Sequence, residues 1–137
     1  MPKKVCSPLL KSATHASLEN SIVKIALLSD IHANLQALNA CMAHARAQGV
    51  EQWALLGDLV GYGGNPQEVV DIAMRLADEG AWIVQGNHDA MAVKPPIDDQ
   101  SLGNSTAPWT HEQLGASQRG FLKALPLTAL SGSLLLV

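Results

Sequence analysis

Three short segments of this chain gather residues that bind metals or move protons: Ser29-Asp30-Ile31-His32, Gly57-Asp58 and Gly86-Asn87-His88-Asp89. Between them they offer the carboxylates of Asp30, Asp58 and Asp89, the imidazoles of His32 and His88, and the carboxamide of Asn87. Mixed oxygen and nitrogen donors of this kind suit Mn²⁺, Fe or Zn²⁺. Each segment alone is weak, because Asp-x-His is common by chance and Gly-Asp after a strand is often only a turn. Their joint placement, each directly after an apolar run, favours a metal site over three unrelated loop caps. Strand-like alternation along Asp30-Ile31-His32 would turn Asp30 and His32 the same way, with Ile31 packing inward. Gly86–Asp89 reads as a tight loop, where a histidine and two potential ligands serve packing poorly.

The elements that must position these residues follow from hydrophobic period. Residues 22–29 (IVKIALLS) form a nearly continuous apolar run, as expected of a strand buried on both faces. Asn34 can cap a helix over Leu35–Ala47, with Leu35, Leu38, Met42 and Ala45 on one face and Gly49 beyond its end. A second strand spans residues 53–56. A glycine-rich loop over 57–65 follows, and Asn65-Pro66 opens a helix to about Glu79. Val69, Val70, Ala73, Met74 and Leu76-Ala77 are its inward residues. Residues 81–85 (AWIVQ) make a third strand. Strand, helix, strand, helix, strand at these spacings predicts a parallel sheet with right-handed crossovers, whose strand C-termini share one ligand-binding edge.

Beyond Ala92 the pattern predicts a surface loop over 94–107, then short helices over 109–114 and 117–125, the second capped by Ser117 and closed by Pro126. Leu134–Val137 resembles the start of a fourth buried strand. Residues 1–21 have neither period and read as a disordered N-terminal extension, with a true start near Val23 as the alternative. Trp53 and Trp82 read as core. Gly61-Tyr62-Gly63-Gly64 lacks dinucleotide-loop spacing and reads as a loop lining the site, with Tyr62 touching substrate.

Composition narrows the class. The 137 residues carry 9 Lys+Arg against 12 Asp+Glu, a formal net charge of −3. That balance argues against a stable nucleic-acid complex, which needs a basic stripe. Charged residues are only 15% and hydrophobic residues 47%, a shortage of charge that suggests apolar surface meant to be covered. No apolar run reaches the length of a membrane span. Cys6 and Cys41 form no CxxC pair, pointing to a reducing, cytoplasmic setting, with Cys41 expected as a small buried residue of its helix.

Asp30-x-His32, Gly57-Asp58-x-x-Gly61 and Gly86-Asn87-His88-Asp89 resemble the first three motifs of the calcineurin-like metallophosphoesterases. SDIHANLQAL and GDLVGYGGNPQEVV are similar to its small bacterial and archaeal phosphodiesterase branch. The resemblance covers residues 22–137 and implies the N-terminal half of a four-layer α/β/β/α sandwich, an α/β fold whose mostly parallel sheet has flanking helices. It implies two divalent cations, Mn²⁺ foremost, with Fe, Zn²⁺, Ni²⁺ or Mg²⁺ as alternatives, that activate water for in-line attack on a phosphate ester. Asp30 and His32 would hold the first metal, Asp58 would bridge both, and Asn87 would bind the second. His88 would face the scissile phosphate, with Asp89 orienting its imidazole, and Asn87, His88 and Tyr62 would touch substrate.

The family's later Gly-His and Gly-His-x-His segments have no counterpart here, so 22–137 reads as a domain truncated before its C-terminal half. His15, His44 and His111 are poor substitutes for those ligands. Three readings follow: a phosphodiesterase acting on a small phosphate ester or nucleotide, impaired by the missing ligands; an inactive truncated or frameshifted product; or a module that binds metal and phosphate without turnover. Self-association through an uncovered sheet face is the further expectation.

Overall fold

The computed structural model describes residues 23–96 and 105–137; the expected N-terminal extension, with Cys6 and His15, and the middle of the 94–107 loop lie outside them. Strands β1 (Ile25–Leu28), β2 (Gln52–Leu55) and β3 (Trp82–Ile83) alternate with helices α1 (Leu35–Ala47) and α2 (Pro66–Asp78). The strands form one parallel sheet in the order β1-β2-β3, with Leu28 level with Leu55 and Leu55 level with Ile83. Helices α3 (Asn87–Val93), α4 (Ala107–Gln113) and α5 (Ala116–Ala124) follow, then a hairpin of β4 (Ala129–Ser131) and β5 (Leu134–Leu136).

Alternation along the strands divides the core between the two sheet faces. Leu28, Trp53, Leu55 and Ile83 pack with Leu38 and Met42 of α1 and with Val69, Val70, Ile72, Ala73 and Leu76 of α2. Burying each of these large side chains contributes about 1.5–3 kcal/mol before chain entropy is charged against it. Leu59 and Val60 belong to the same core although they lie in the loop after β2. That loop is consequently anchored by its own apolar residues. On the opposite face, Ala54, Trp82 and Val84 pack against Ala129, Leu134 and Leu136 of the hairpin.

The helix ends explain the boundaries. Asn34 Oδ1 accepts from Ala37 N at 3.0 Å, as the sequence predicts for α1. Pro66 stands in the first turn of α2, where its missing N–H removes no helical bond. At α5 the predicted Ser117 cap is replaced by Gly115, whose N–H donates to Gln118 Oε1 at 2.9 Å.

Four other expectations are corrected. Gly86–Asp89 is not a tight loop: Gly86 caps α3, and Asn87, His88 and Asp89 are its first turn. Leu134–Val137 does not begin another strand of the main sheet. A two-residue Gly132-Ser133 turn, with Gly132 at φ 59°, folds Leu134–Leu136 back on Ala129–Ser131 instead. The expected strand at 22–29 shortens to four residues and is covered on one face only, with Leu27 58% exposed, because the hairpin reaches β2 and β3 but not β1. Cys41 is exposed, since the buried stripe of α1 runs through Leu38 and Met42. On the main sheet the uncovered face lies at β1, and Leu130 and Leu135 of the hairpin are exposed as well. No helix among the described residues is long and apolar enough to cross a membrane.

One buried polar atom lacks a partner: among the described residues Thr110 Oγ1 of α4 makes no hydrogen bond, and the residue is 1% exposed. Thr110→Val keeps the shape and removes a desolvated hydroxyl, so urea denaturation should find it neutral to about 1 kcal/mol more stable. A loss above about 1 kcal/mol would show a bonding role for the hydroxyl.

Candidate metal centre

The C-terminal ends of β1, β2 and β3 deliver the three sequence motifs to one edge of the sheet. The β1 and β2 loops interlock through backbone bonds, His32 N to Asp58 O at 2.9 Å and Ala33 N to Leu59 O at 2.8 Å. His88 N donates to Asp58 Oδ1 at 2.9 Å, tying the first turn of α3 to the β2 loop. The glycines of two motifs make this approach possible. A Cβ on Gly57 would stand 2.6 Å from Gly86 N, and one on Gly86 would stand 2.2 Å from Asp58 N.

Among the described residues, five that are not glycine have left-handed backbone: Asp30, His32, Ala33, Asp58 and Tyr62, with φ between 49° and 56°. Each such conformation costs on the order of 1 kcal/mol and persists only where its surroundings over-determine it. All five lie in the β1 and β2 loops. This corrects the reason expected for the pairing of Asp30 with His32. No strand alternation operates there; a left-handed turn brings Asp30 Oδ1 within 3.6 Å of His32 Nε2. Ile31 does pack inward, as predicted.

The tautomer of His32 follows from its partner. Its Nδ1 lies 3.1 Å from the Val60 carbonyl oxygen, which can only accept, so Nδ1 donates there and Nε2, 3.6 Å from Asp30 Oδ1, is the ring nitrogen left available to a metal. Ligand atoms of His32, Asp58 and His88 all lie within 4.8 Å of one another. Two imidazoles and a carboxylate at this spacing form a donor set suited to a divalent transition metal. His88, expected to face the phosphate, is a member of this cluster. Asp30 lies outside it, accepting from Ser29 Oγ at 2.5 Å with its side chain largely in solvent, and Asn87 is exposed at the first position of α3.

Tyr62 closes one side. Its ring meets those of His32 and His88 at 4.8 and 4.7 Å, and its N–H donates to Thr106 Oγ1 at 3.2 Å. Among the remaining histidines, His44 is exposed on α1, and His111 Nδ1 donates to the Ala92 carbonyl at 2.8 Å, a packing role. The Val60 carbonyl and Thr106 were not legible as site groups, since every residue carries a carbonyl and threonines are frequent near helix starts.

Asp89 corrects another expectation. The bonds of its carboxylate run to backbone, not to the His88 imidazole: Oδ1 accepts from Val60 N at 3.2 Å and Oδ2 from Gly86 N at 2.9 Å. The residue thus joins α3 to the loop that sets the His32 tautomer. Burial pushes its carboxyl up from 3.8 to about 6, with a smaller contribution from Asp58, against the backbone donors that pull it down. A folded pKa above the unfolded one makes a contribution that is fully present below about pH 4. It is lost as pH rises through about 6. In chelator-treated protein, wild type should therefore lose stability relative to Asp89→Asn across that window, by on the order of 2–3 kcal/mol. Parallel stability profiles for the two proteins between pH 4 and 7 would contradict the shift.

Comparison with known proteins places this geometry. The model of the calcineurin-like phosphoesterase family matches residues 23–137. An uncharacterized protein of Methanocaldococcus jannaschii is 38% identical over 105 residues, covering 75% of this chain and 42% of that protein. A metallophosphoesterase from Sphaerobacter thermophilus superposes with a TM-score of 0.68 at 34% identity, over 82% of this chain and 45% of that one. A second solved structure, provisionally described as a diadenosine tetraphosphatase, gives 0.56 at 29% identity, over 78% and 45%. The chain thus spans less than half the length of these relatives. With its three-stranded parallel sheet, flanking helices and His/Asp cluster at the strand ends, this chain belongs to the calcineurin-like phosphoesterase family.

Proposed function

We propose that this chain carries the amino-terminal portion of a divalent-metal phosphodiesterase centre. The observation that supports it is the convergence of His32, Asp58 and His88 within 4.8 Å at the ends of three parallel strands. His32 Nε2, an Asp58 oxygen and a His88 ring nitrogen would hold the first cation, with Asp30 beside His32 completing the set. Asn87 would serve a second cation shared through Asp58. When bound, such cations supply Lewis acidity and lower the pKa of bound water. Likeness to the family puts Mn²⁺ first among the ions to test, while two imidazoles and a carboxylate suit Fe, Zn²⁺ or Ni²⁺ equally well.

The chain's own residues do the rest. The Val60 carbonyl holds the His32 tautomer, and Asp89 holds the loop carrying that carbonyl. The Tyr62 ring limits how the two imidazoles turn. The exposed thiol of Cys41 fits a reducing, cytoplasmic setting.

Five side chains, Asp30, His32, Asp58, Asn87 and His88, are few for two cations that each take about four to six donors. Turnover by the 137 residues alone is therefore expected to be slow. The test is Mn²⁺ uptake together with hydrolysis of bis-p-nitrophenyl phosphate, beside Asp58→Asn. Slow, Mn²⁺-dependent hydrolysis abolished in the variant supports the reading. Tight uptake without turnover would make the chain a metal-binding module, and no uptake would sink the metal centre itself.

A further inference from the structure

The start of α4 reaches back to the loop that carries Asp58. Tyr62 of that loop donates its N–H to Thr106 Oγ1 at 3.2 Å, across 44 residues of chain. Thr106 stands at the cap of α4, yet its side chain makes no capping bond to that helix. Pro108 in the first turn explains part of this, since proline brings no N–H for a cap to satisfy. The hydroxyl serves the β2 loop instead. We propose that Thr106 is a positioning residue of the metal centre, which by holding Tyr62 sets the angle of the His32 and His88 imidazoles. The proposal rests on the metal-centre reading above and deepens it.

The link runs through three rings in mutual contact. Tyr62 meets His32 edge-on at 4.8 Å and His88 at a tilt at 4.7 Å, and the two imidazoles meet edge-on at 5.0 Å. A nitrogen lone pair lies in the plane of its ring. Turning an imidazole about its Cβ–Cγ bond therefore aims the donor away from a shared cation. His32 has the Val60 carbonyl to fix it as well. The His88 ring rests on packing, with Gly61 so near that a Cβ there would stand 2.7 Å from its Nδ1. Tyr62 is the side wall against which that ring is held.

Tyr62 needs a hold of its own. It is 53% exposed, so burial does little to fix its ring, and its backbone is left-handed at φ 56°, which is uncommon for a bulky residue. The next residue, Gly63, is tied to the β1 loop by its bond to the His32 carbonyl at 3.0 Å. Thr106 adds a restraint from a separate element, and that element is itself anchored. His111 Nδ1 donates to the Ala92 carbonyl of α3 at 2.8 Å, and the His111 carbonyl accepts from Arg119 Nη1 of α5 at 2.9 Å. Helix α4 thus joins the β2 loop to α3, the two elements that bring Asp58 and His88 together.

The experiment measures Mn²⁺ affinity by calorimetry and, in metal-free protein, the NMR shifts of the His32 and His88 ring protons. Thr106→Val keeps the shape and loses the hydroxyl. It should bind Mn²⁺ about tenfold more weakly, the lower end for changes beside a metal's direct ligands. Its ring-proton shifts should move toward those of Tyr62→Leu, because the Tyr62 ring is no longer held against the imidazoles. Thr106→Ser, which keeps the hydroxyl, should restore both. Thr110→Val removes a hydroxyl one turn further along α4 that has no partner among the described residues, and should change neither. Affinity within about twofold of wild type in Thr106→Val would overturn the role and leave the metal centre standing. An equal loss in Thr106→Ser or Thr110→Val would overturn it in favour of a general loosening of α4. Failure of Thr106→Val to fold would make the hydroxyl a support of the whole fold and overturn the narrower role. Failure of native protein to take up Mn²⁺ would remove the metal centre, and the positioning role with it.

Discussion

Gly86→Ala should cost about 3 kcal/mol of stability and disable metal binding together. The added Cβ would stand 2.2 Å from both Asp58 N and Asp58 Oδ1 and 2.8 Å from Asp58 Cγ. Two of those atoms belong to the side chain that carries the metal-binding charge, and the third is backbone that cannot rotate away. Overpacking a tight contact typically costs about 1–3 kcal/mol, and here relief requires parting the β2 loop from α3. The same movement breaks the bond from His88 N to Asp58 Oδ1. Gly120→Ala supplies the opposite sign. Gly120 sits inside α5 with open space where its Cβ would go, so alanine should stabilise by about 0.5–1 kcal/mol. Urea midpoints for the two variants decide the matter, and a Gly86→Ala protein within about 0.5 kcal/mol of wild type would contradict the close approach.

Asp58→Asn is expected to lower Mn²⁺ affinity by at least about a hundredfold while leaving the fold intact. Changes beside a metal's direct ligands already cost about 10–100-fold, and Asp58 lies in the donor cluster itself. The amide oxygen can still accept from His88 N, so the link between the β2 loop and α3 survives. The loss should therefore come from charge and donor strength. Thermal shift on Mn²⁺ addition is a direct readout, because a ligand that binds only the folded state stabilises it by RT ln(1 + [L]/Kd). Wild type should gain and Asp58→Asn should not. His44→Asn, at an exposed position on α1, should behave as wild type. Equal Mn²⁺ affinity in Asp58→Asn and wild type would move the metal away from the strand ends.

Much of the scaffold was legible because it rests on period and punctuation. Helix α1 spans Leu35–Ala47 as predicted, and Asn34 caps it through the expected side-chain bond. Pro66 and Gly80 bracket α2, and the three apolar runs form the parallel sheet. Where strand ends shifted, the cause is burial. Only four residues of the 22–29 run pair with β2, and the outer side of that strand lacks a covering layer. The hairpin was missed because the Gly132-Ser133 turn is followed by Leu134-Leu135-Leu136, a run that also fits a buried parallel strand. Leu59 and Val60 read as loop residues, yet they are fully buried and carry the loop into the core.

The sequence by itself determined which residues could bind a metal, because Asp, His and Asn after apolar runs are legible as chemistry. Tertiary structure alone decided how they are grouped. His88 joins His32 and Asp58, while Asp30 stands beside His32 and Asp89 turns to backbone donors. The physical reason is that, among the described residues, five non-glycine residues adopt left-handed backbone, a conformation uncommon outside glycine even though Asp and His enter it more readily than most. Their strain is held in part by bonds that cross between loops far apart in the chain, such as His32 to Val60 and His88 to Asp58. A local pattern records the donors; the close approach of Gly57 to Gly86, set by three strands ending together, places them.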